Sequence, residues 1–141
     1  MFFSTVTEKV IAAQSCQRHW QNRLKVAIQS EAKVFLIEEA ADYHRCPFGC
    51  KTHGMAYLER AQPEVEAAIL IHSAFHIAAT KVARKLALGQ HAAAQQIFDG
   101  EFADLSRDLT VALSRWKTAA FAPKVAPPVR FMPRGAAAAA R

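Results

Sequence analysis

The stretch PEVEAAILIHSAFHIAATKVARKLALG, residues 63–89, constrains the fold of this chain more than any other. Pro63 suits the first position of a helix, where its missing N–H costs nothing. Glu64 and Glu66 follow in the first turn, Arg84 and Lys85 stand in the last, and Gly89 is a stop. That is the charge order and the ending a helix dipole favours. A helix this long must bury an apolar stripe, and other helices are the natural cover, because Ala is abundant and β-branched runs are almost absent. His72 and His76 sit inside that stripe. Residues four apart lie on one helical face, about 5–6 Å between Cβ atoms. Their neighbours Ile69, Ala79 and Thr80 are small or apolar, so both rings are expected to look inward. A buried imidazole needs a partner. The plain reading is two satisfied core histidines; the chemical one is two ligands to a single metal ion.

Thr5-Val6-Thr7-Glu8 has the form of a capping box and opens a first helix over 5–29. Val6, Val10, Ala13, Trp20, Leu24 and Ala27 form its apolar stripe. Residues 30–45 read as a connection with room for a short helical turn. Cys46 and then Pro47 mark the entrance of a short second helix running to about Ala61. A fourth helical region spans His91 to about Ala120, with Phe102, Leu105, Leu109, Ala112, Leu113 and Trp116 facing inward and Asp99-Gly100 as a candidate break. Four amphipathic segments with short connections predict an all-α domain over 1–118, an antiparallel four-helix bundle. Residues 119–141 hold four prolines and an alanine run, and are expected to form a disordered basic tail.

The net charge of +6 suggests nucleic acid until it is divided along the chain. Residues 1–117 hold fourteen of the eighteen Lys/Arg and all twelve Asp/Glu, so the excess belongs to Lys124, Arg130, Arg134 and Arg141. Four charges over two dozen residues, with only Phe121 and Phe131 between them, make a poor nucleic-acid surface. MFFSTVTEK lacks the basic start and apolar run of a secretory signal. The longest apolar stretch, Ala67 to Thr80, is short for a membrane span and carries both histidines. A cytoplasmic address without membrane attachment is therefore expected. There Cys16, Cys46 and Cys50 are thiols or metal ligands rather than disulfide partners.

The segment YHRCPFGC, residues 43–50, bears on the histidine pair. Cys46 stands at a helix entrance, where N–H groups and the dipole favour thiolate. The ordinary fate of such a residue is a small buried hydrophobe. Thiolate with two imidazoles, however, is a ligand set suited to Zn²⁺.

Together these motifs resemble a known family, the chemoreceptor zinc-binding domain, a bacterial cytoplasmic four-helix module usually attached to chemoreceptors and diguanylate cyclases. Its pattern is a His shortly before a Trp in the first helix, then Cys-x-[Leu/Phe]-Gly, then His-x-x-x-His in the third helix. The parts stand here as WQNRL (20–24), CPFG (46–49) and HSAFH (72–76), and DGEFADLSRDLTVALSRWK resembles the closing helix. The likeness covers roughly residues 10–118.

The resemblance implies a zinc site between helices with Cys46, His72 and His76 as ligands. The family's first-helix His stands three residues before the Trp, a position held here by Gln17, a poor zinc ligand. His19 and Cys16 are the nearest replacements, with a water in an open position as a third option. At about 100° per residue, His19 points about 135° from the stripe centre and Cys16 about 75°. Geometry favours Cys16; ligand type and the family's three-His, one-Cys habit favour His19, which is placed first. A second departure is Lys51, where the family commonly has Trp. His44, His53 and His91 are expected to face solvent.

By the same resemblance, the chain is expected to be a non-enzymatic zinc- or oxidant-responsive module, a homodimer acting on a separate signalling protein. Loss of the Cys ligand by oxidation would loosen the site. Two alternatives stand beside it: a small zinc hydrolase with an open coordination position, and a bundle in which zinc is purely structural. Against the hydrolase, neither motif contains a Glu or Asp to serve as general base, and there is no HExxH.

Overall fold

A computed structural model of the chain describes residues 5–30, 37–42 and 45–122. Among them the protein is all-α: α1 (Val6–Gln29), α2 (Ile37–Ala41), α3 (Pro47–His53), α4 (Tyr57–Arg60), α5 (Pro63–Ala87), α6 (His91–Ile97) and α7 (Ala103–Phe121), with one π-helical turn, Phe98–Phe102, joining the last two. His44 and residues 123–141 of the expected tail lie outside the described residues.

The helix ends follow from the sequence. Thr5 caps α1 through a complete capping box: its Oγ1 accepts from the Glu8 N–H at 3.1 Å, and its own N–H donates to Glu8 Oε2 at 3.2 Å. At the other end of α5, Gly89 takes φ +72, the left-handed conformation that favours glycine. The Gln90 N–H then reaches the Lys85 carbonyl (2.9 Å) and the Gly89 N–H the Leu86 carbonyl (3.0 Å), the paired bonds of a Schellman ending.

Two elements differ from the sequence expectation. The short second helix ends at His53, and a separate turn, α4, follows from Tyr57. Thr52 turns its hydroxyl back onto the carbonyls of Phe48 and Gly49, and Gly54 caps the end. The chain then leaves the helix before Pro63 starts the next. Asp99-Gly100, in contrast, does not break the fourth region. The backbone keeps right-handed helical angles at Ile97, Phe98, Phe102 and Ala103, and the π turn absorbs one extra residue. That extra residue resets the buried face. Phe98 and Phe102 stack (5.3 Å, 17°), and Phe75 of α5 lies 4.8 Å from Phe102. The closing helix also runs past 118, to Phe121.

The core forms where α5 meets α1, α2, α6 and α7. Val65, Ala68, Phe75, Ala78, Ala79, Val82, Ala83 and Leu86 of α5 are fully buried, against Leu24 of α1, Phe48 of α3, and Leu109, Leu113 and Trp116 of α7. Each large apolar side chain buried in this way contributes about 1.5–3 kcal/mol. By length and composition α5 is also apolar enough to cross a bilayer, yet half of its most apolar window is buried inside the fold. Lys9 of α1, itself buried, pairs with Glu59 at 2.7 Å and ties α4 to the first helix.

Candidate metal centre

Both histidines of HSAFH look inward: His72 is 2% exposed and His76 1%. Their Nε2 atoms lie 3.2 Å apart. Cys46, the N-cap of α3, places its Sγ 3.4 Å from His72 Nε2, while the Gly49 N–H donates to the same sulfur at 3.2 Å. Cys16, on the buried stripe of α1, places its Sγ 3.4 Å from His76 Nε2. The ligand atoms of Cys16, Cys46, His72 and His76 all lie within 4.8 Å of one another. Three elements far apart in sequence thus converge on one point. A tetrahedral ion with bonds of about 2.0–2.3 Å needs ligand atoms roughly 3.3–3.8 Å apart, and the short distances here fall at that spacing. The two-cysteine, two-histidine group can bind a metal ion, and its donor types suit zinc.

The surroundings orient these donors. His76 Nδ1 donates to the Ala40 carbonyl at 2.9 Å, which fixes the tautomer and leaves Nε2 with its lone pair toward the cluster. Ala40 belongs to α2, which is anchored on α1 by the Arg23–Glu39 ion pair, and the Arg23 guanidinium also lies over the Trp20 ring at 5.2 Å. Phe48 packs edge-on against His72 (4.6 Å), and Trp20 and Phe75 flank His76. Burial holds the His72 pKa below its ordinary value, so the ring is neutral and able to ligate. The two neighbouring sulfurs shift each other in opposite directions. Cys46 is pushed far down because the Cys16 thiol donates to it, with His72 and His76 adding to the effect. Cys16 is pushed up by that same bond and by burial.

His19 is not part of this group. It is exposed, its ring edge-on to Trp20 at 5.5 Å, and Cys16 occupies the fourth corner instead. The reason is the helical angle: with Trp20 and Leu24 buried, the direction that reaches the cluster belongs to position 16, and position 19 turns away. Gln17 is buried but faces α7. Its Nε2 donates to the Ser106 carbonyl (2.7 Å), Ser106 Oγ (2.8 Å) and Thr110 Oγ1 (3.0 Å). Of the other histidines, His53 is exposed, and half-buried His91 bonds the Gly89 carbonyl through Nδ1 at 3.2 Å.

A cavity of about 710 Å³ opens beside the centre, walled by Cys16, Cys46, His76, Trp20 and His19, with Glu38, Glu39, Asp42 and Arg45 toward its mouth. Glu38, Glu39 and Asp42 lie four to eight residues before Cys46, outside the motif itself, and the fold turns them toward the cavity. The signal available for Cys16 was its smaller angle from the stripe centre; for the carboxylates there was none.

Fold and site together define an all-α protein with a buried two-cysteine, two-histidine group able to hold a metal ion. No family model, no curated protein and no solved structure matches this chain.

Proposed function

We propose that the protein is a zinc-binding regulatory module. The observation that carries this reading is the convergence of four good zinc donors, buried and within 4.8 Å of one another, on three separate elements. Zinc held there ties the middle of α1 and the start of α3 to α5, so its binding energy becomes folding energy. The long helices with α3 are read as the four-helix bundle of the chemoreceptor zinc-binding family, with the ion between helices. From the same resemblance come the cytoplasmic setting, the homodimer, and action in trans on a chemoreceptor or diguanylate cyclase. Exposed Leu70, Ile77 and Leu88 on the outer face of α5 support a partner-facing role for that helix.

The chain is read as a binding module rather than an enzyme, because four protein donors fill a tetrahedral ion. The hydrolase reading gains one observation from the structure: Glu38, Glu39 and Asp42 stand on the wall of the adjoining cavity, where a carboxylate could serve a metal-bound water. Zinc content per chain, compared with Cys46→Ala and His76→Ala, tests the site; full retention in both variants rejects the ligand assignment. The cobalt(II) form separates the two functions. A four-ligand tetrahedral spectrum without exchangeable water supports the module, and an exchangeable water supports the hydrolase.

A further inference from the structure

Cys16 and Cys46 are thirty positions apart in sequence, yet their sulfurs lie within 4.8 Å of each other. A disulfide needs an S–S distance of about 2.05 Å, so the remaining approach is under about 3 Å. Cys46 is placed to make it. As the N-cap of α3 it has extended backbone (φ −69, ψ 152) rather than a helical turn around it. Both sulfurs wall the cavity of about 710 Å³, which reaches solvent at Arg45 and Glu39, side chains 89% and 59% exposed. A small oxidant can therefore arrive at two neighbouring sulfurs.

We propose that Cys16 and Cys46 form a reversible disulfide on exposure to a hydroperoxide, and that this crosslink and a bound metal ion exclude each other at the same centre. The inference deepens the zinc-binding reading of the site and rests on it only for the second half. Cys46 reacts as its thiolate, its proton given to solvent, and attacks the terminal peroxide oxygen. The O–O bond breaks, leaving Cys46 sulfenic acid and hydroxide, or alkoxide from an organic hydroperoxide, which takes a proton back from solvent. The Cys16 sulfur then attacks Cys46 Sγ, the S–S bond forms, the S–O bond breaks, and the hydroxyl leaves as water with the Cys16 proton. Each sulfur gives up one electron and the hydroperoxide is reduced to water and the corresponding alcohol, or to two waters for hydrogen peroxide. A disulfide sulfur is a poor metal donor, so the centre loses two of its four ligands at once, whereas sulfenic acid at Cys46 alone would remove one. A dithiol reverses the bond by exchange.

The test uses the full chain, reduced, in zinc-loaded and zinc-free forms, titrated with hydrogen peroxide and digested with trypsin without reduction. Cys16 lies in VIAAQSCQR, and Cys46 shares CPFGCK with Cys50, so Cys50→Ser is run in parallel. The expected result is a VIAAQSCQR–CPFGCK crosslink in the wild type that persists in Cys50→Ser. Zinc is released in proportion to the crosslink, and dithiothreitol restores binding. A Cys46–Cys50 link, or sulfinic acid at Cys46 with Cys16 still alkylatable, overturns the proposal. Zinc retained by the crosslinked protein overturns the exclusion. A reduced protein that takes up no zinc overturns the metal reading and the exclusion with it, while the zinc-free digest still decides the disulfide.

Discussion

Cys16 and Gln17 are neighbours in the chain, both buried, and α1 carries them into two different polar centres. Gln17 enters a knot with α7 in which donors meet acceptors. Its amide serves Ser106 and Thr110, Gln21 also bonds Ser106 Oγ, and Thr110 Oγ1 donates to the Ser106 carbonyl at 3.1 Å. Cys16 enters a group of four atoms that are all able to donate to a cation, with the Gly49 N–H on one of them, Cys46 Sγ. The knot is a closed set of hydrogen bonds; the cysteine–histidine centre has the donors to hold a metal ion. Burying polar groups serves packing at the first and ligation at the second. The difference shows why a buried polar residue on a helix stripe has to be read by its partners and not by its burial.

The contrast can be broken most strongly at the metal. Chelation of the zinc-loaded protein is expected to lower the melting temperature by about 10 °C or more, since a ligand at 100 to 1,000 times its Kd stabilises by about 2.7–4.1 kcal/mol. A melting curve unmoved by chelator would reduce the centre to a second knot. Next in size is Gln17→Ala, which removes three bonds from the knot while Gln21 and Thr110 still serve Ser106, and is expected to cost about 1 kcal/mol in a denaturant titration, with zinc content unchanged. Loss of zinc in that variant would show that the two centres are one.

A smaller effect comes with pH. In the metal-free protein His72 is neutral because burial holds its pKa below 6.5, so the unfolded chain binds the extra proton. Its contribution to stability is complete above about pH 6.5 and is lost as pH falls from there through the folded pKa. The depressed Cys46 acts in the same direction. Denaturation midpoints across pH 5–8 should therefore fall on the acid side, and a flat profile counts against the buried neutral ring. The smallest change is expected for His19→Ala. This exposed residue should alter stability by no more than about 0.5 kcal/mol and leave zinc stoichiometry intact. A zinc deficit there would move the fourth ligand from Cys16 to His19.

Much of the fold was legible from local chemistry. The capping box at Thr5, the proline entrances at 47 and 63, the glycine exit at 89 and the apolar stripes of α1, α5 and α7 each depend on residues within a few positions of one another. The π turn was not legible, because Asp99-Gly100 reads equally as a break; the stacking of Phe98 and Phe102 against Phe75 is what keeps the helix continuous. The stop after His53 likewise depends on Thr52 bonding back into its own turn.

For the site, three donors could be read along the chain: two imidazoles one turn apart on a buried stripe, and a thiol at a helix entrance. Spacing along one helix, or position at its end, is a local property and survives any tertiary arrangement. Only packing brought Cys16 to the group as its fourth member, along with the α2 carbonyl that aims His76 and the carboxylates beside the cavity. Those depend on the rotation of α1 about its axis and on where α2 comes to rest, and both are set by packing against α5, not by any residue's immediate neighbours in the chain.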